Sequence, residues 1–324
     1  MYRYFDLILD CAAGLPELPA AAAAEADVQI EVLPPRAQEP RTDWFHHWYA
    51  DRDRTQLVVS AAREPDGFRL RYPGLADFRV SAALDRLRCV PAPGVPGHTL
   101  RHLLLDGALP HVLGQRGDMI LHASAVRSPQ GRGLAFVGDS GWGKSTLASA
   151  CFKRGYALVA DDCLKLVVHG QQLLGLTSYP GARLWPDSRE QLFPDSPAAG
   201  PVTHYSSKQR LELSAFTEVG PLEIHDVFLL EEPVADAAAE PAPVRLASRA
   251  SARAVTELIA RCFMLDIEDQ QAVSRLFRTA CAVHAACPRI WSLGYRRDYG
   301  VLEAVLEAVA DPDQFLAGAK GKVP

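Results

Sequence analysis

The chain has 324 residues, 48% apolar and 23% charged, with 34 basic side chains against 39 acidic ones and a formal net charge of −5. That size and balance suit a globular protein of one large or two ordinary domains. They exclude a general attraction to nucleic acid or to an anionic membrane surface.

No apolar run is long enough to span a bilayer. The seven cysteines are scattered, odd in number and without a C-x-x-C pair, the pattern of reduced thiols in a cytoplasmic protein. The stretch from Met1 to Asp10 interrupts its apolar residues with acids and reads as a strand, not a signal peptide. Arg3 to Asp10, Val28 to Leu33, Gln56 to Ala61 and Gly67 to Tyr72 are predicted strands. Residues 1–96 are therefore expected to form a β-rich N-terminal domain with a part in recognising a peptide substrate. Within it, Asp43-Trp-Phe-His-His-Trp-Tyr49 concentrates aromatic rings. Core packing is the first reading of that cluster and a grip on a peptide the second. His46 and His47, adjacent in a strand, face opposite ways and make no metal site.

Pro91 to Gly97 is rich in Pro and Gly and marks a linker, so residues 97–324 are expected as the second domain. Leu100 to Leu113 is a predicted helix kinked at Pro110, and Met119 to Val126 a buried strand carrying His122. Leu134 to Val137 is a second buried strand. It leads into Gly138, Asp139, Ser140, Gly141, Trp142, Gly143, Lys144 and Ser145, and then into a predicted helix from Thr146 to Lys153 closed by Gly155. Two glycines separated by four residues and followed by Lys and Ser form the pattern of a phosphate-binding loop. The glycines let successive N–H groups point at phosphate oxygens, and the helix start adds its positive end. Lys144 suits the β- and γ-phosphates, and the Ser145 hydroxyl suits Mg²⁺. The next predicted strand, Ala157 to Ala160, ends in Asp161-Asp162. A carboxylate at that point can hold Mg²⁺ or take a proton from an acceptor hydroxyl.

Beyond the site, Pro194 to Gln209 reads as a polar loop, Val227 to Leu230 as a strand, and Pro233 to Pro243 as a surface loop. Helices are predicted over 248–263, 268–286 and 300–310, a strand over 289–293, and a frayed tail over 317–324. The chain contains no Asn, so it cannot carry the Asn-Lys-x-Asp guanine signature, and no Leu-Ser-Gly-Gly transporter signature is present. A phosphotransferase or a small regulatory ATPase remains. The fold expected is α/β, with ligands at the carboxyl ends of the strands.

Three segments extend this reading: Leu121-His122-Ala-Ser-Ala-Val126, the Gly138–Ser145 loop, and Lys153-Arg-Gly-Tyr-Ala-Leu-Val-Ala-Asp161-Asp162. Together they resemble the HPr kinase/phosphorylase family over roughly Leu121 to Val168. The resemblance implies a P-loop, HPr-kinase-like α/β core using ATP and Mg²⁺. It makes His122 the active-site histidine, Lys144 the phosphate-binding lysine and Asp162 the general base. Ser145 and Asp161 would be metal ligands, and Asp161 would support the site. The chain departs from that family at Thr146, where the family has Glu, and at Tyr179-Pro-Gly-Ala-Arg183-Leu-Trp185, which keeps an Arg but lacks the family's Glu. Thr146 and Arg183 are still read as nucleotide contacts, and the Lys208/Arg210 pair as further candidates for phosphate or a substrate carboxylate. The Pro-Gly-x-Arg183-Leu-Trp185-Pro segment, the His122-Ala-Ser-Ala-Val126 strand and the β-rich N-terminal region look more like the HPr-kinase-related proteins of peptide natural-product clusters, some of which resemble kinases of the C-terminal serine of a lasso-peptide precursor. The implied partner is a peptide or small protein with an acceptor serine. A homo-oligomer follows from the family's habit; no nucleic acid or membrane is implied. The alternative is a non-catalytic nucleotide switch acting on a protein partner.

Overall fold

The computed structural model describes residues 1–50, 53–179, 181–195, 200–211, 220–233, 243–287 and 289–320. The loop expected over 233–243, in its stretch 234–242, and the tail over 321–324 lie outside the described residues. The fold is α/β and divides into two compact units. One comprises Met1–Ile120, Pro201–Ser207 and Phe263–Leu276; the other comprises Leu121–Gly200, Lys208–Cys262 and Phe277–Pro324.

The first unit holds a sheet of β1 (Tyr2–Tyr4), β2 (Leu7–Cys11), β3 (Val28–Val32), β4 (His46–Tyr49), β5 (Leu57–Glu64), β6 (Gly67–Tyr72), β7 (Ala76–Ser81) and β8 (Arg86–Pro91), in the order 1-2-3-8-7-6-5-4. The single strand expected over 3–10 is two. Phe5 adopts φ 54°, in the left-handed region, and the chain turns there into the antiparallel β1–β2 pair. Strands β7 and β8 and the aromatic strand β4 add to the expected set. Alternation sorts the sheet: Leu70, Phe78, Val80, Leu87 and Cys89 are buried, while Arg79, Arg86 and Arg88 are exposed.

After the Pro91–Gly97 stretch come α1 (Gly97–Leu103), a π-helical turn (Leu104–Ala108) and α2 (Leu109–Arg116). The irregularity expected at Pro110 therefore lies upstream of it. Pro110 comes just after the π turn in a continuous helical run, and the π turn absorbs the change of register that a residue without an N–H imposes. Leu100, Leu103, Leu105, Leu109 and Val112 are buried, and the Tyr4 hydroxyl donates to the Leu105 carbonyl. These contacts are why the helical stretch clusters with residues 1–96 and the units divide at Ile120/Leu121 instead of at 96/97.

The second unit is built on β9 (Met119–Arg127), β10 (Gly133–Val137), β11 (Ala157–Ala160), β12 (Cys163–His169), β13 (Gln172–Thr177), β14 (Ala182–Leu184), β15 (Gly200–Pro201), β16 (Gln209–Leu211), β17 (Leu222–Leu230), β18 (Val244–Ser248) and β19 (Ile290–Tyr295). Its helices are α3 (Lys144–Lys153), α4 (Pro186–Leu192), α5 (Ser251–Ile259), α6 (Gln270–Ala286), α7 (Leu302–Ala310) and α8 (Pro312–Lys320). The chain divisions at 120/121, 200/201 and 276/277 fall within β9, β15 and α6. The tail expected to fray from 317 is helical to Lys320.

Strands β10, β17 and β19 run parallel, with Val137 opposite Leu229 and Leu229 opposite Ser292. The chain therefore leaves all three at one edge of the sheet. Phe136, Leu147, Cys151, Phe228 and Leu293 form the core beneath that edge. One buried acid holds the three strands in register. Asp226 in β17 is fully enclosed and accepts from Arg132 Nη2 at 2.5 Å, Arg289 Nε at 2.7 Å and Trp291 Nε1 at 2.8 Å.

Candidate functional site

Residues 138–143 join β10 to α3 at the strand edge just described. Gly143 caps the helix in the left-handed region at φ 86°, and Gly141 adopts φ 81°. Only glycine does this without strain. A Cβ at Gly143 would also meet the Tyr295 hydroxyl at 3.0 Å. Lys144 opens the helix, buried, and its Nζ donates to the Asp139 carbonyl at 2.9 Å. Burial lowers its pKa to about 8.

Strand β11 pairs with β9, and a register shift between Leu158 and Ala160 brings the chain into Asp161 and Asp162. Asp162 then takes φ 73°, a strained conformation for a side chain of this type. The two acids face different groups. Asp161 Oδ1 accepts from Ser145 Oγ and Ser124 Oγ, each at 2.7 Å, and its Oδ2 accepts from the Arg183 backbone N–H at 2.9 Å. Burial and the neighbouring Asp162 charge raise its pKa. Asp162 borders the open pocket. Its Oδ2 accepts from Arg183 Nη1 at 2.7 Å, and its Oδ1 lies 3.5 Å from His122 Nε2. Burial pushes Asp162 upward, but the Lys208 and Arg183 cations and the His122 hydrogen bond outweigh it and hold the carboxyl well below its ordinary range. His122 is itself lowered by burial and by the Lys144 charge, so near neutral pH its imidazole is uncharged.

Arg183, in β14, is 2% exposed. Its guanidinium contacts the Asp161 carbonyl at 3.1 Å, the Asp162 carboxylate and the Tyr179 hydroxyl. The residue read from the sequence as a nucleotide contact thus spends its donors holding the acid pair in place.

A pocket of about 220 Å³ lies over the loop. His122, Ser140, Gly141, Gly143, Lys144, Ser145, Thr146, Asp162, Arg183 and Lys208 border it. Of the other expected residues, Gly138, Asp139, Trp142 and Asp161 do not. Trp142 turns back over Gly138, with the Arg261 guanidinium 5.3 Å from its ring centre. Asp161 lies behind the pocket wall, bonded to Ser145 and Arg183, which do border it. Arg210 sits opposite Arg183 in the β14–β16 pair and is also outside the lining.

The remaining wall is formed, Trp185 apart, by residues that the sequence motifs do not mark. Trp185, Asp187 and Ser188 come from the start of α4, and Tyr295, Arg297 and Tyr299 from the end of β19 and the turn after it. Hydrogen bonds link Thr146 Oγ1 to Ser188 Oγ at 3.1 Å, Ser188 Oγ to the Tyr299 hydroxyl at 3.0 Å, and that hydroxyl to Asp187 Oδ2 at 3.2 Å. The Arg297 guanidinium lies 3.7 Å over the Tyr295 ring. The signal available in sequence was the polar run Arg296-Arg297-Asp298-Tyr299 directly after an apolar strand.

No family model matches this chain. No curated protein matches it either. Among solved structures it is similar to the HPr(Ser) kinase/phosphatase from Coxiella burnetii, with a TM-score of 0.31 and 16% identity over 62% of this chain and 94% of that one. Among the described residues, no group of three or more His, Cys, Asp or Glu has the arrangement of a metal cluster, and all seven cysteines are free. No described helix is long and apolar enough to cross a membrane.

Proposed function

We propose that the second unit is an ATP-dependent kinase that transfers the γ-phosphate to a serine hydroxyl of a peptide or small protein, with the C-terminal serine of a lasso-peptide precursor as the substrate type the motifs suggest. The observation that carries this reading is the division of labour between the two acids. Asp161 is bonded to the loop serine, and Asp162 faces the pocket beside a neutral His122.

The residues present fit a nucleotide with Mg²⁺. Ser145 Oγ and Asp161 Oδ1, 2.7 Å apart, are the hard oxygen donors that this ion takes. Lys144 supplies a buried ammonium, and nothing lies within 4 Å of where a Cβ at Gly141 would stand, which leaves room beside the loop backbone for a phosphate. Mg²⁺ held there would neutralise charge on the β- and γ-phosphates.

The chain's own groups supply the rest. Asp162 orients the acceptor hydroxyl. As the serine oxygen bonds to the γ-phosphorus and the bond to the ADP oxygen breaks, Asp162 accepts the hydroxyl proton, with His122 as the adjacent acceptor. A carboxyl held this far down is a weak base. In a loose phosphoryl-transfer transition state, orientation counts for more than basicity, and the proton leaves late. Lys208, 5.5 Å from the Trp185 ring centre at the pocket wall, is placed to meet the acceptor's own charge.

Lys144 gives the test. It carries its proton below a pKa of about 8 in the free protein and must be charged to pair with a triphosphate. As pH rises through 8, binding must therefore take up a proton, and affinity is expected to fall, approaching about tenfold per pH unit. Titration calorimetry of ATP–Mg²⁺ at pH 7 and 9, in buffers of different ionisation heat, reads that uptake. No ATP binding at either pH would sink the nucleotide reading. Binding with no proton uptake at pH 9, unweakened by Lys144→Ala, would remove Lys144 from the phosphate contact.

A further inference from the structure

The exposed face of the first unit's sheet carries an electrostatic conflict. Arg79 in β7 stands directly opposite Arg88 on one side and Arg69 on the other. Like charges directly opposed across strands destabilise a sheet. The two outer arginines are relieved: Arg88 by Glu31 at 3.1 Å, and Arg69 by Glu64 at 2.5 Å with Asp77 at 3.6 Å. The nearby Asp77 is in turn claimed by a bidentate pair of 2.7 Å bonds from Arg71. Arg79, exposed in the middle of the rank, has no acid of its own among the described residues.

Above Arg79 the segment 33–39 crosses the sheet as a strap fastened at both ends. Leu33 and Arg36 donate their N–H groups to the carbonyls of Cys89 and Pro91, each at 2.9 Å. Gln38 bonds Tyr72 O and Asp77 Oδ1 at 3.0 Å each, and Arg71 Nη1 reaches Glu39 O at 2.7 Å. Pro34 and Pro35 stiffen the span. Between strap and sheet lies a cavity of about 360 Å³, bordered by Arg36, Arg69, Asp77, Arg79 and Val90. The strap thus leaves a surface cleft over an arginine without an acid partner among the described residues.

We propose that this cavity binds an acidic side chain of an extended peptide, with Arg79 as the pairing cation and Arg36 beside it. A carboxylate matches two arginines that have no acid partner among the described residues; a phosphate dianion would meet more repulsion from Asp77 and Glu39 on the same lining. No aromatic side chain borders the cavity, so nucleic-acid bases find no stacking platform. This site is independent of the kinase reading, since every residue in it belongs to the first unit.

The test is fluorescence anisotropy with the full chain and three labelled probes: a short peptide of alternating Glu and Ser, its Gln/Ser counterpart, and an oligothymidylate of the same net charge. The Glu peptide is expected to bind at least about tenfold more tightly than the other two, more weakly as salt is added. Arg79→Glu is expected to lose at least about tenfold in that affinity. Its melting temperature should not fall below that of the natural protein, because a Glu between Arg69 and Arg88 turns repulsion into attraction. Arg79→Gln gives the same loss of binding without adding a charge, should the Glu variant fail to fold. Equal binding of the Gln peptide, unchanged affinity in both Arg79 variants, or an oligothymidylate that binds as tightly and depends on Arg79 would each overturn the proposal.

Discussion

Under the proposed kinase activity, Asp162→Asn is expected to cut phosphoryl transfer by about 10²–10⁴-fold, the usual contribution of a positioned base, while ATP affinity stays within about twofold because the Gly138–Ser145 loop is untouched. The substitution is conservative where it needs to be. An Asn oxygen can still accept from Arg183 Nη1, 2.7 Å away in the natural protein, so the buried guanidinium keeps a partner and the fold is retained. What is lost is the negative charge facing His122 and the pocket. Asp162→Ala would strand Arg183 and confuse the two effects. Single-turnover transfer alongside nucleotide titration separates them. A variant with natural transfer would remove Asp162 from the mechanism, and a variant that also loses ATP would make its role structural.

Asp226→Ala is expected to destabilise the second unit by about 3 kcal/mol. Removing one partner from a buried charge network leaves the others uncompensated. Here the cost is moderated, because Arg132 and Arg289 are 38% and 35% exposed and can turn to water. The Trp291 indole N–H, 2.8 Å from Asp226, cannot turn away and is left buried without an acceptor. The strands stitched together by Asp226 are the ones whose ends carry the Gly138–Ser145 loop and the Tyr295–Arg297 wall, so loss of stability should come with loss of the proposed nucleotide binding on warming. Denaturant unfolding measures the change. An effect under about 0.5 kcal/mol, the size of an ordinary surface substitution, would mean that the network contributes nothing net.

The half of the site that is local in sequence was legible from the residues. Short apolar strands bounded by glycines fix β10 and β11, and the loop spacing fixes the start of α3, so His122, Lys144, Ser145 and Asp162 converge as expected. The other half was not, because no local signal says that the start of α4 and the end of β19 meet the same loop. For β19 it follows from the parallel β10–β17–β19 register, which brings Val137 and Ser292 to the same edge through Leu229; for α4 it follows from packing that no local pattern announces. Arg183 is instructive. Its presence near the acids was readable from the segment, but its burial and its engagement by Asp161, Asp162 and Tyr179 are properties of packing. In the first unit the β7 alternation of Ala76, Phe78 and Val80 with Asp77 and Arg79 is clean, yet it follows Pro73-Gly74, whose turn signal masks it. The hairpin of β12 and β13 lacks an Asn-Gly or Asp-Gly signature, turning instead at Gly170 with φ 62°. The two strands expected as one over 3–10 are separated by a positive φ at Phe5, a residue whose type gives no hint of it.

The central claim is transfer of phosphate to a serine. Mass spectrometry of serine-ended peptides after incubation with the protein, ATP and Mg²⁺, with Asp162→Asn in parallel, tests it most directly. The expected result is a mass gain of a single phosphate on the peptide serine that the Asp162→Asn protein fails to produce. Tight ATP binding with no phosphate on any serine peptide or candidate protein acceptor would contradict the kinase and leave a nucleotide switch in its place.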